Sequence, residues 1–133
     1  NNGMPEYIIG RISKILNHQK KPLNGSRIFL LGVAYKPDID DLRESPVLKI
    51  ISLLEKEGAQ IVYNDPFIPS FDQNGKIYTS IPVDEKALQA ADAVVITTNH
   101  SAYDYDFIAK YARAVFDTRG ATKGLEASHV ERL

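Results

Sequence analysis

Apolar positions near the start of the chain recur at helical spacing: Ile8, Ile9, Ile12, Ile15 and Leu16. Pro5 suits a first helical turn, where its missing N–H costs nothing. The pattern predicts a helix over residues 4–18. Residues 17–26 are polar, contain Pro22 and Gly25, and read as a connector. The next segment, residues 27–33, is Arg-Ile-Phe-Leu-Leu-Gly-Val, a short continuous apolar run that predicts a strand buried on both faces.

A long loop over residues 34–44 ends at Ser45-Pro46, a helix start with a hydroxyl cap and proline at the first position. Val47, Leu48, Ile51 and Leu54 form the expected apolar face of that helix, and Gly58 stops it. A second strand is expected over residues 59–63. Asn64-Asp65-Pro66 ends it, and a turn-rich stretch follows to about residue 82, with a short extra strand at residues 76–80. Residues 83–90 read as a brief helix with Asp84 near its start, residues 93–97 as a third buried strand and residues 104–111 as another short helix. Residues 114–116 are expected to be the last core strand.

Strands and helices thus alternate from residue 27 onward. This predicts an α/β fold: a three-layer, Rossmann-like domain with a parallel sheet and right-handed crossovers, preceded by an amino-terminal helix. Ligands bind such sheets beyond the carboxyl ends of the strands, near the switch in strand order. Four segments are expected at that edge: residues 34–45, 64–69, 98–103 and 117–122.

Charge sharpens the search for chemistry at this edge. The chain of 133 residues carries 16 basic and 17 acidic side chains, a formal net charge of −1. That balance gives no global field for attracting nucleic acid, so an anion site has to be local. Without cysteine, the chain has no disulfide, zinc–thiolate or thiol nucleophile of its own, a composition consistent with a reducing, cytoplasmic location. No apolar run approaches the roughly 20 residues a bilayer crossing needs, and the polar opening has no signal-peptide layout. The first residue is not methionine, which leads us to expect a chain excised from a longer protein.

The loop after the first strand lacks the Gly-x-Gly-x-x-Gly pattern that lets backbone approach a pyrophosphate, so phosphate recognition has to fall to side-chain cations. Lys36 lies just past the first strand, Arg43 near the following helix start and Arg119 just past the last expected strand. A flexible ammonium and a planar guanidinium fork are suited to a diphosphate. The same residues have a plainer reading. Lys36 and Arg43 share their loop with Asp38, Asp40, Asp41 and Glu44, and Arg119 sits beside Asp117, so each cation has a carboxylate within reach as an ion-pair partner. The aspartates lack the glycine and terminal glutamate of an EF-hand, and no metal site is expected. His100 either touches a ligand or shapes its turn. Tyr103 and Tyr105 read as packing or rim residues, and Pro66 and Pro69 as stiffeners of their loop.

The run Leu31-Gly32-Val33-Ala34-Tyr35-Lys36-Pro37-Asp38-Ile39-Asp40-Asp41-Leu42-Arg43-Glu44-Ser45-Pro46 resembles a signature of the UDP-glucose/GDP-mannose dehydrogenase family. Matches continue in order at Gly58-Ala59, Tyr63-Asn64-Asp65-Pro66, Thr98-Asn99-His100-Ser101 and Phe116-Asp117-Thr118-Arg119. Asn2-Gly3-Met4-Pro5 looks like the end of the helix that joins the two halves of such an enzyme. The resemblance implies residues 1–22 as the end of that helix and its linker, and residues 23–133 as the nucleotide-sugar-binding carboxy-terminal domain. It further implies oxidation of the C6 alcohol of a nucleotide sugar to a carboxylate in two NAD-dependent steps. NAD would be bound mainly by an amino-terminal domain, with a catalytic cysteine outside this chain and a homodimer or larger assembly. By motif position, Lys36 and Arg119 would bind the UDP-sugar and Arg43 would reach toward NAD. The run over residues 35–46 and the ending Asp117-Thr118-Arg119-Gly120-Ala121-Thr122-Lys123-Gly124-Leu125 look most like UDP-N-acetyl-hexosamine dehydrogenases, above all UDP-N-acetylglucosamine 6-dehydrogenase, with a role in polysaccharide precursor synthesis implied by the family. The competing expectation is a stand-alone nucleotide-binding or oligomerisation module without catalysis.

Overall fold

The computed structural model describes residues 3–133. The expected junction at Asn2 lies outside the described residues. Helix α1 (Met4–His18) starts after Gly3, whose φ of 88° lies in the left-handed region. Its periodic face is buried: Ile8, Ile12, Ile15 and Leu16 pack into the core beside α2 (Pro46–Lys56). Burying a side chain such as Ile12 or Leu16 contributes about 1.5–3 kcal/mol, so α1 is held mainly by packing. Ser45 caps α2, its hydroxyl accepting from the Val47 amide and donating to the Val33 carbonyl at 2.7 Å. Ile50 joins Val47, Ile51 and Leu54 on the fully buried face of α2, whereas Leu48 is only partly buried.

The main sheet is parallel throughout and ordered β2-β1-β5-β6-β7. Its strands are β1 (Arg27–Leu31), β2 (Gln60–Asn64), β5 (Ala93–Ile96), β6 (Val115–Asp117) and β7 (Val130–Arg132). Alternation along β1 divides the core into two. Ile28 and Leu30 face α1 and α2, while Phe29 and Leu31 face α3 (Glu85–Ala90) and α4 (Tyr105–Tyr111). The result is a three-layer α/β sandwich of Rossmann-like form. Asp84 and Asp104 cap the two short helices through their carboxylates.

The structure corrects the expected strands at two places and adds a partner at a third. Residues 114–116 are not the last core strand, because β7 pairs with β6 in the register Val115↔Val130 and extends the sheet. The expected extra strand at residues 76–80 exists as β4 (Lys76–Thr79), but it forms a separate antiparallel hairpin with β3 (Ser70–Gln73). Phe71 and Tyr78 stack across this hairpin, and Phe71 also meets the Tyr63 ring, which closes the end of the α1–α2 core. The first strand also ends earlier than residue 33. Gly32 turns the chain with φ 91°, and its Cα faces the loop after β5 so closely that a Cβ there would meet the Thr98 carbonyl and hydroxyl oxygens at 2.8 Å.

Candidate anion-binding site

The chain leaves β1 for β2 on one side and reaches β5 on the other, so strand order switches between β1 and β5. A cavity of about 490 Å³ opens beyond the carboxyl ends of the strands at this point. Tyr35 and Lys36 enter it from the loop after β1, Thr97 from the end of β5, and Thr118 and Arg119 from the loop after β6. Its apolar wall comes from the starts of α1 and α2, through Met4, Pro5, Ile8 and Val47, together with Leu133.

Two of the three expected cations line this cavity. Lys36 is exposed, with its ammonium 5.8 Å from the centre of the Tyr35 ring. Among the described residues, neither Lys36 nor Arg119 forms a salt bridge. The Arg119 guanidinium does not pair with Asp117. Its Nε donates to the Thr97 carbonyl oxygen at 2.9 Å, while its backbone N–H donates to Asp117 Oδ1. Anchored through Nε, the fork keeps its terminal nitrogens for a bidentate acceptor.

Arg43 behaves differently. Its Nε donates to Asp41 Oδ1 at 3.1 Å, its side chain is 88% exposed, and it does not line the cavity. The plainer ion-pair reading is thus what Arg43 shows and what Lys36 and Arg119 do not.

Asp117 organises the loop that carries Arg119. Its buried carboxylate accepts from the Arg119 amide, the Thr122 amide at 2.7 Å and the Thr122 hydroxyl at 2.6 Å. Burial alone would raise its pKa, but these donors outweigh burial and hold it below the ordinary carboxylate value.

A second network lies under the loop after β1, built on His100, expected either to touch a ligand or to shape its turn, on Asp65, expected to end the second strand, and on Asp38, expected as an ion-pair partner of the loop cations. His100 and Asp65 are both buried, and His100 Nε2 lies 2.9 Å from Asp65 Oδ2. The same carboxylate oxygen accepts from the Val33 and Ala34 amides at 2.8 and 3.2 Å. On the other side of the ring, Nδ1 accepts from the Asp38 amide at 2.8 Å. Asp38 in turn accepts from the Ser101 amide at 2.7 Å and from its hydroxyl, and the Ser101 contacts lower the Asp38 pKa. Phe67 and Tyr103 flank the imidazole. The Tyr103 hydroxyl donates to the Asn64 carbonyl, and burial pushes its pKa up. The pairing of Asp65 with His100 resembles half of a catalytic triad. However, Nδ1 faces a backbone donor rather than a nucleophile.

The described residues do not fit a self-contained dinucleotide site. Gly32, the one glycine of the loop after β1, is taken up by close packing on Thr98 rather than left open to a phosphate. Among the described residues, no group of three or more His, Asp or Glu side chains is gathered to hold a metal. None of the described helices is long and apolar enough to cross a membrane.

These features define a parallel, Rossmann-like α/β class with two cations free of salt bridges among the described residues at the strand-order switch and no glycine-rich cradle. Residues 29–124 match the UDP-glucose/GDP-mannose dehydrogenase family, UDP binding domain, and the chain belongs to that family. It is 37% identical over 103 residues to the UDP-N-acetyl-D-mannosamine dehydrogenase of Methanocaldococcus jannaschii, a match covering 77% of this chain and 22% of the relative. The UDP-N-acetyl-D-glucosamine 6-dehydrogenase of Pseudomonas aeruginosa is 26% identical over 103 residues, covering 77% of this chain and 24% of that protein. Among solved structures, the UDP-D-ManNAc dehydrogenase of Pyrococcus horikoshii superposes with a TM-score of 0.80 at 25% identity, covering 99% of this chain and 31% of that one. The chain therefore spans between about a fifth and a third of the length of these relatives.

Proposed function

We propose that this chain is the substrate-gripping domain of an NAD-dependent nucleotide-sugar 6-dehydrogenase acting on a UDP-N-acetyl-hexosamine. The observation that carries the reading is the convergence of Lys36 and Arg119, from separate crossover connections, on one cavity at the strand-order switch, neither neutralised by a carboxylate. In this reading the two cations clasp the diphosphate of a UDP-sugar, and the apolar wall formed by α1, α2 and Leu133 packs against its less polar parts. The chain's catalytic contribution is positioning and charge complementarity. Residues 1–22 serve as the end of an inter-domain helix and linker, and residues 23–133 as the carboxy-terminal gripping domain.

NAD supplies oxidation when bound. In this reading it sits mainly on a preceding domain, and a cysteine in that part of the protein does the covalent chemistry. Arg43 is the contribution of this chain toward the cofactor, and its exposed side chain leaves it free to exchange Asp41 for another anion. The assembled enzyme works in the cytoplasm as a homodimer or larger oligomer and supplies polysaccharide precursors. The ordered motifs and the names of the relatives support this reading.

The test is kinetic, in the complete enzyme. Lys36→Ala and Arg119→Ala should each lower kcat/KM by about tenfold or more with the oligomer intact, as expected for lost charged contacts. Unchanged kinetics would remove both residues from the substrate site.

A further inference from the structure

Lys36 sits on a three-residue span, Tyr35-Lys36-Pro37, between two fixed points. One end, Ala34, is held by the Asp65 carboxylate at its amide and by the Thr98 hydroxyl at its carbonyl. The other end, Asp38, has φ 62° with no glycine to ease it. What holds Asp38 there is the loop after β5: His100 Nδ1 takes its amide, and Ser101 binds its carboxylate. The hydrogen bonding also fixes the tautomer. A backbone N–H can only donate, so Nδ1 must accept, and Nε2 must carry the proton that is given to Asp65 Oδ2.

We propose that His100 is a positioning residue for anion binding: its Nδ1, by gripping the Asp38 amide, sets where the Lys36 ammonium stands. The assignment rests on the proposed role of Lys36 in binding the diphosphate. The bond from Nε2 to Asp65 orients the ring, and the bond from Nδ1 to Asp38 transmits that orientation to the loop. The ring itself touches no ligand, since it is fully buried and does not line the cavity.

Two substitutions separate the two bonds. In His100→Asn the amide oxygen can stand where Nδ1 stood and accept from Asp38, but nothing reaches Asp65. In His100→Gln the longer amide can donate to Asp65, but nothing is left to accept from Asp38. UDP is titrated into the wild-type chain and both variants, followed by backbone amide shifts, with the dispersion of the spectrum reporting the fold. We expect His100→Gln to weaken UDP binding by about tenfold or more, and His100→Asn to stay within about threefold of the wild type. A His100→Gln variant that binds like the wild type overturns the proposal, as does a His100→Asn variant that loses as much as His100→Gln. A third measurement needs no variant: the imidazole ¹⁵N shifts of the wild type should show Nδ1 unprotonated and Nε2 protonated, and the reverse overturns the proposal even if a variant fails to fold. If UDP leaves Lys36 and Arg119 of the wild type undisturbed, the substrate-site reading fails and this role falls with it. A correct imidazole tautomer in that case would locate the error in the ligand site rather than in the His100–Asp38 bond.

Discussion

The Arg119 guanidinium and the Thr97 carbonyl are joined by a 2.9 Å hydrogen bond that links the loop after β6 to the end of β5. The bond uses Nε and so fixes the plane of the fork before any ligand arrives. Lysine has a single nitrogen and cannot both satisfy Thr97 and present a paired donor face. Arg119→Lys should therefore behave nearly as badly as Arg119→Ala, with UDP affinity falling about tenfold or more and stability barely changed. Calorimetric titration of UDP checks this, and an Arg119→Lys chain with wild-type affinity would show that only the charge matters.

Gly32 and Gly75 offer a paired test of backbone and packing. Both have positive φ, 91° and 82°. A Cβ at Gly75 meets nothing within 4 Å, whereas one at Gly32 runs into Thr98. Gly75→Ala should cost about 1 kcal/mol through backbone strain alone. Gly32→Ala should cost at least ~2 kcal/mol more, because Thr98 is buried and its hydroxyl is engaged with the Ala34 carbonyl. Urea unfolding of the two variants measures the difference.

Much of the fold is legible in the sequence, for a physical reason. β5, and β1 after Arg27, are unbroken apolar runs, and the Ser45-Pro46 cap is a local signal that needs no tertiary information. β7 and β3 escape notice because each is short and has one buried residue, Val130 and Phe71, so neither carries a period. At the site, the sequence identifies which side chains can bind an anion but not which are already occupied. Arg43 and Lys36 share one loop with several aspartates, yet only Arg43 takes one, Asp41, while Asp38 is claimed by Ser101, 63 positions away. The role of His100 depends on Asp65, 35 positions earlier, a pairing that no local pattern reveals.

Asp117 makes the acid stability of the site loop predictable. Its pKa is held below the ordinary aspartate value of 3.8, so its carboxylate contributes stability that is fully present above that value. This contribution is lost as the pH falls through the lower folded value. Asp117→Asn puts an amide donor against the Thr122 and Arg119 donors and should cost about 1–3 kcal/mol near neutral pH. The gap between variant and wild type should narrow only below about pH 4, as measured by urea midpoints across that range. A gap that closed already near pH 6 would contradict the assignment.

Ser45 supports both the start of α2 and the end of β1, through its bonds to the Val47 amide and the Val33 carbonyl. Ser45→Ala should cost about 1–2 kcal/mol, the upper part of the range for a lost helix cap. It should also loosen the loop that holds Lys36, seen as faster amide exchange at Tyr35, whose N–H donates to the Asp41 carbonyl.

The most direct measurement is a crystal structure of this chain grown with UDP. The diphosphate should lie in the cavity between Tyr35 and Leu133, with the Lys36 ammonium and the terminal nitrogens of Arg119 both within hydrogen-bonding distance of its oxygens. UDP seated elsewhere on the molecule, or in the cavity with its phosphates turned away from both cations, would contradict the two-cation clasp.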